Sequence, residues 1–292
     1  MTQENQSFPD NIFGINAKEA YDKVMNAPDK KSEDKPKTEG KNISSYNPEK
    51  VFILKYDGFG KPLARKVNER FKGTQVQIPD LADNQEIPIG NILTRSALIT
   101  VISEDPELNK LGLYPITPLQ SELLLQRNKL PKDPTTYWED LALILYDHSE
   151  KGKNPREAQA LYESLKKHKQ DLGLNDSDLE ERLLIINVGL HFDNTFPKRV
   201  KPKIIPGVTQ VLVHSTLRQT RQDHKFNYGL ENGLPSVQSL GTGSRTLWMP
   251  AQNEDIGLRV LYRSRDLSLS ARIVFLDDSY ELGRVTFAKN SA

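Results

Sequence analysis

The chain has 292 residues, 36% hydrophobic and 8% aromatic, which is enough apolar material for one large or two ordinary buried cores. Its 40 basic residues nearly balance 39 acidic ones, so no overall field draws it to phosphate backbones or acidic membranes, and nucleic acid is not an expected partner. The lack of any cysteine excludes disulfides, thiolate nucleophiles and cysteine-ligated metals. With no apolar leader and no run long enough to span a bilayer, the expected location is a reducing one, the cytoplasm, in a prokaryotic source.

From Met1 to about Lys50 the chain is rich in Lys, Asp, Glu, Asn, Ser and Pro. Such a segment cannot bury enough apolar area to offset its ordering entropy, so a disordered tail is predicted. The exception within it is Phe13 to Met25, where Phe13, Ala17, Ala20, Tyr21 and Val24 share one helical face. Val51 to Tyr56 is a β-branched and aromatic run that predicts a strand. Asp57-Gly-Phe-Gly60 stops it, and Pro62 to Phe71 has helical spacing. Thr74 to Ile78 alternates, and the denser apolar stretch Ile92 to Ile102 predicts a second buried strand, ended by Asp105-Pro106.

Helix-start signals then repeat. Thr117-Pro-Leu-Gln120 is a capping box with Pro at the first helical position; Asp133-Pro134 and Asn154-Pro155 use the same proline, and Ser177 with Glu180 gives a further box. Four helices are predicted, over Pro118–Arg127, Pro134–Tyr146, Pro155–Asp171 and Asp178–Val188, so residues 51–196 read as an α/β region with a four-helix middle. After Pro197 five strand-like runs follow: Val208–His214, Thr246–Met249, Ile256–Tyr262, Ala271–Leu276 and Arg284–Ala288. Residues 197–292 are therefore predicted to be β-rich. The class is α+β.

No chemistry-bearing constellation stands out. The histidines at 148, 168, 191, 214 and 224 have no spacing that puts two ring nitrogens on one metal, so neither metal nor cofactor is expected. Gly241-Thr-Gly243 lacks the following helix that a dinucleotide loop requires, and Asp193, Asp277 and Asp278 read as loop charges. Ser215 beside His214 has no nucleophile-elbow glycines. No catalytic residue is predicted.

The segment Gly257 to Val285 has an unusual composition. It contains no Lys, Gln, Met or Trp and one Glu, at 281. Its residues are nearly all reachable from an asparagine codon by changes in the first two bases. This pattern resembles the variable region of target proteins of diversity-generating retroelements, in which a fixed skeleton alternates with scrambled positions. The skeleton would be Gly257, Leu258, Arg259, Val260, Leu261, Arg263, Leu267, Leu269, Ala271, Arg272, Leu276, Gly283, Arg284 and Val285. The scrambled, ligand-binding positions would be Tyr262, Ser264, Arg265, Asp266, Ser268, Ser270, Ile273, Val274, Phe275, Asp277, Asp278, Ser279, Tyr280 and, at the end, Leu282; Glu281 departs from the pattern. The resemblance implies a C-type-lectin-like C-terminal region with its variable side chains exposed on one face. It also implies a non-catalytic binding role toward a protein or surface ligand, since the formylglycine-forming relatives of that scaffold depend on cysteine. The alternative is a structural or assembly protein ending in an ordinary β-hairpin.

Overall fold

The computed structural model describes residues 50–89, 91–193, 196, 198–218, 222–252, 254, 256–273, 276 and 282–289, and the backbone alone at 11–12, 15–16 and 273. The chain divides into two units, Met1–Ser44 and Ser45–Ala292. In the first, β1 (Asn11–Ile12) pairs antiparallel with β2 (Ile15–Asn16). At Ile15 and Asn16 the backbone is thus extended, within the segment predicted to be a disordered tail and where Phe13–Met25 was the one candidate for a short helix. The rest of that candidate helix and of the expected disordered tail lies outside the described residues.

The second unit opens with β3 (Lys50–Ile53), and Asp57 turns the chain by accepting the N–H groups of Phe59 and Gly60 at 2.9 Å each. Gly60 is required there, because a Cβ would fall 1.9 Å from the Lys55 carbonyl oxygen. Then α1 (Gly60–Arg70) buries Leu63, Ala64 and Val67, at i, i+1 and i+4, against the core.

Ile92 to Ile102, expected as a strand, is the first part of a helix, α2 (Ile92–Glu104). The Asn91 side chain caps it by accepting the Thr94 N–H at 2.7 Å. Every residue from Ile92 to Ile102 is buried, so no polar stripe marks a helical period. After α3 (Pro106–Lys110) and β4 (Leu113–Pro115), α4 (Pro118–Gln126) starts at the expected Thr117–Gln120 capping box.

Two further expectations are corrected. Pro134–Tyr146 is not a helix: Asp133-Pro134 opens only a 3₁₀ turn (Pro134–Thr136), and β5 (Glu139–Leu145) follows. Asp178–Val188 is likewise not a helix, for α6 (Asp176–Leu179) stops after one turn and gives way to β6 (Leu183–Ile186). Between them, α5 (Pro155–His168) forms where expected. The remainder comprises β7 (Gly189–Phe192), β8 (Val200–Lys203), β9 (Gln210–Val213), α7 (Ser215–Arg218), β10 (His224–Phe226), β11 (Arg245–Trp248), β12 (Leu258–Arg263), β13 (Leu269–Ile273) and β14 (Thr286–Lys289).

The seven-stranded sheet runs β10-β11-β13-β12-β5-β6-β9, with β11 and β13 parallel and the other pairs antiparallel. Two adjacent strands from before residue 197, β5 and β6, thus sit between β12 and β9 from after it in this one sheet. Both faces are covered. Leu143, Leu145, Leu183, Ile185, Leu258 and Val260 face the core shared with α1, α2 and α5. Ala142, Ile144, Leu184, Ile186, Leu261 and Leu269 face a second core with Leu217, Leu234 and Met249. A three-stranded sheet places β14 between β3 and β4, and a hairpin of β7 and β8 packs on α2 and α5. Class is therefore mixed helix and sheet, as expected.

Candidate functional site: a cation-lined cleft at the start of α5

The beginning of α5 is bolted to β12 by backbone. Lys153 donates its N–H to the Ile256 carbonyl at 2.7 Å, and its own carbonyl accepts the Leu258 N–H at 2.9 Å. Gly257, at φ +88°, permits this approach; a Cβ there would lie 2.4 Å from the Lys153 nitrogen. Asn154, at φ +50°, does not cap the helix with its side chain and instead donates to the Leu258 carbonyl at 2.8 Å. Pro155 occupies the first helical position, where its missing N–H costs nothing.

Opposite this helix end, the β7–β8 connection turns through Lys198, at φ +74°, into Arg199 and Val200, and the Asp193 N–H closes it on the Arg199 carbonyl at 2.9 Å. The two walls enclose a cleft of about 680 Å³. Arg156, Lys198 and Arg199 line it with one carboxylate, Glu157; Leu93 from α2, Val200 and Leu276 form its apolar part, and Gln75 and Asn154 contribute amides. The Arg156 guanidinium lies 3.9 Å over the Phe196 ring, which fixes its direction.

Neighbouring cations on the hairpin are neutralised: Lys201 is 3.1 Å from Asp193 and Lys203 is 3.0 Å from Glu104. Among the described residues, no carboxylate lies within ion-pair distance of Arg156, Lys198 or Arg199. The sequence reading missed these three, because they come from separate segments and each is one cation among 40. Only the Lys198-Arg199 pair beside a strand start was a usable signal.

The residues expected to form the variable face are distributed differently from that expectation. Tyr262 is half-buried, its ring 5.5 Å from Trp138, and burial pushes its phenol pKa up. Ser264, Ser268 and Ser270, expected at the surface, are buried because the hairpin uses their hydroxyls. Ser264 Oγ donates to the Asp266 carboxylate while its N–H donates to the Ser268 carbonyl at 2.9 Å, Ser268 Oγ accepts the Thr246 N–H at 3.1 Å, and Ser270 Oγ accepts the Arg272 N–H at 3.3 Å. Arg265 and Asp266 are exposed at the turn between β12 and β13, where Arg265 donates to the Thr135 carbonyl at 3.0 Å. Burial raises the Asp266 pKa, but hydrogen bonds from Ser264 and Ser268 outweigh it, and the net shift is downward.

Leu282 is exposed. Of the skeleton, Leu258, Val260, Leu269, Ala271, Leu276 and Val285 are buried as expected, while Leu267, at φ +66°, is only half-buried. Ile273 ends β13, and its side chain, with Val274, Phe275, Asp277, Asp278, Ser279 and Tyr280, lies outside the described residues.

His214 and Ser215 are held by structural contacts. His214 Nδ1 accepts the Thr216 N–H at 3.2 Å, so Nε2 carries the proton donated to the Glu231 carbonyl at 2.7 Å, and burial lowers the ring pKa. Ser215 Oγ points to the Glu231 carboxylate at 3.4 Å and not to the imidazole. No group of three or more His, Asp or Glu side chains converges as a metal site among the described residues. None of their helices is long and apolar enough to cross a membrane.

Comparison with protein-family models, with curated proteins and with solved structures finds no match to this chain.

Proposed function

We propose that the chain is a binding protein whose ligand seats in the cleft at the start of α5. The observation that carries this reading is the convergence of Arg156, Lys198 and Arg199 on one opening, without carboxylate partners among the described residues. Elsewhere in the unit several interior cations meet carboxylates, Arg263 with Glu139, Arg245 with Glu122 and Arg284 with Glu86, whereas the buried Arg95 donates to the Ile116 carbonyl. A bound polar or anionic group would take up the hydrogen-bonding capacity that these three exposed cations offer to one opening. Leu276 gives the C-terminal segment a part in the same wall.

Amide chemical shifts of the full chain, followed against a panel of neutral and charged small molecules, test this. Perturbations gathered at Leu93, Val200 and Leu276 are expected; binders that gather elsewhere, or a panel with no binder, overturn the reading.

The finer form of the proposal keeps Gly257–Val285 as the diversified segment of a C-type-lectin-like region produced by a retroelement. Arg265, Asp266, Leu282 and the positions outside the described residues would then carry the variation, with Ser264, Ser268 and Ser270 contributing to folding. A near-copy of the coding segment, differing mainly at adenines and lying beside a reverse transcriptase, is the expected genomic finding. Its absence defeats this finer form and leaves the cleft as ligand seat.

A further inference from the structure

We infer that the cleft takes a phosphomonoester of nucleotide size; this rests on the cleft being the ligand seat. Among the described residues the three cations face one carboxylate, Glu157, so this part of the lining carries an excess of two positive charges. A phosphomonoester is close to a dianion at neutral pH and matches that excess, whereas a carboxylate ligand would leave one cation unbalanced. Arg156 and Arg199 bring planar guanidinium forks suited to two phosphate oxygens, and Lys198 supplies a point charge. Phe196 under Arg156 restricts that side chain before any ligand arrives, which lowers the ordering cost of binding. The first turn of α5 adds its N–H end to the same side.

The remaining wall argues for an organic body on the phosphate. Leu93, Val200 and Leu276 give an apolar surface beside the charged one, with the Gln75 amide at its border. A cleft of about 680 Å³ falls in the range that seats a small organic molecule and is far larger than inorganic phosphate needs. Recognition divides accordingly: the cations hold the phosphate and the aliphatic wall covers the body.

Calorimetric titration of the full chain with adenosine monophosphate, adenosine, glucose 6-phosphate and inorganic phosphate tests the assignment. Adenosine monophosphate is expected to bind, adenosine to show no saturable heat, and inorganic phosphate to bind at least about tenfold more weakly than the nucleotide. Glucose 6-phosphate binding more weakly than adenosine monophosphate would support an apolar, base-like body; tighter binding of the sugar would overturn that part. Arg156 and Arg199 are both exposed, so Arg156→Gln and Arg199→Gln are expected to keep the wild-type thermal midpoint and to weaken nucleotide binding by about tenfold each. Adenosine binding as tightly as its monophosphate, or variants that bind like wild type, would overturn the inference. Neutral molecules found in the cleft with no phosphate bound would reject the phosphomonoester and leave the binding reading intact. An empty cleft in both experiments rejects both.

Discussion

Arg263 enters the core with its charge because a guanidinium can bond in two directions at once. Its Nη2 donates to Glu139 at 2.9 Å and its Nη1 to Ser121 Oγ at 2.8 Å, with both charged side chains fully buried. Arg245 similarly reaches the Glu122 carboxylate, the Asn227 carbonyl and the Leu267 carbonyl. A lysine ammonium cannot span such partners, which gives a physical reason for arginine at the buried positions 245 and 263. Glu139 also accepts the Thr286 N–H at 2.7 Å, so one carboxylate ties β5 to β12 and β14. Glu139→Ala leaves a buried arginine and a buried N–H without their acceptor, and a loss of about 3–5 kcal/mol in urea unfolding is expected.

Glu86 permits a pH test at the same scale. Burial raises its pKa, but hydrogen bonds from Arg284 and Lys132 outweigh that effect and the net shift is below 4.5. Its contribution is therefore fully present above about pH 4.5 and lost as pH falls through the lower folded value. The stability gap between wild type and Glu86→Gln, measured by denaturation from pH 7 down to about 3, should be widest near neutrality and close on the acid side.

At the scale of elements, burial decided what the sequence disclosed. Gln210–Val213 and Arg245–Trp248 read correctly as strands because each is a short β-branched or aromatic run bounded by turn residues, and the capping box at Thr117 placed the start of α4. The stretch Ile92–Ile102 has no polar face in either period, and its Ile, Thr and Val content favoured the wrong assignment. In β5 the opposite error arose: both faces are buried, so Leu141, Ile144 and Leu145 fall by chance at helical spacing. The cleft was less legible than either, since its cations meet only after α5 and the β7–β8 hairpin have packed.

Thr100 illustrates what the buried helix does besides filling space. Its Oγ1 donates to the Ser96 carbonyl and accepts the Leu190 N–H, each at 2.8 Å, joining α2 to β7. Beside it, a Cβ on Gly189 would lie 2.4 Å from Ile205. Thr100→Val keeps the shape and strands the Leu190 N–H, so a loss of about 1–3 kcal/mol is expected in denaturant unfolding, with the helix content unchanged by circular dichroism.

The whole molecule is organised around a sheet that ignores the compositional divide. The β5 and β6 strands come from the stretch read as helical, and they sit between β12 and β9 of the stretch read as β-rich. Ser45–Ala292 thus holds its cores in common, and among the described residues those cores begin at Ile53, with Val51 and Phe52 of the same strand packed against them. Removing Met1–Ser44 is expected to leave the thermal midpoint of the remaining unit within about 2 °C, read by calorimetry; a larger fall would show that the first unit contributes to its stability.

The pairing of β14 with β3 has a consequence for connectivity. Lys289 is the register partner of Lys50, so the two ends of the unit's framework lie side by side. Order along the chain is then separable from order in space. A circular permutant, with a short Gly/Ser bridge from Lys289 to Lys50 and new ends opened at the exposed residues Gly241 and Thr242, keeps every strand pair in place. It should express as a folded monomer whose amide spectrum overlays that of the parent except near the bridge and the opening. A permutant that does not fold would mean that the order in which β3, β4 and β14 are synthesised, and not only their final pairing, is needed to build the three-stranded sheet.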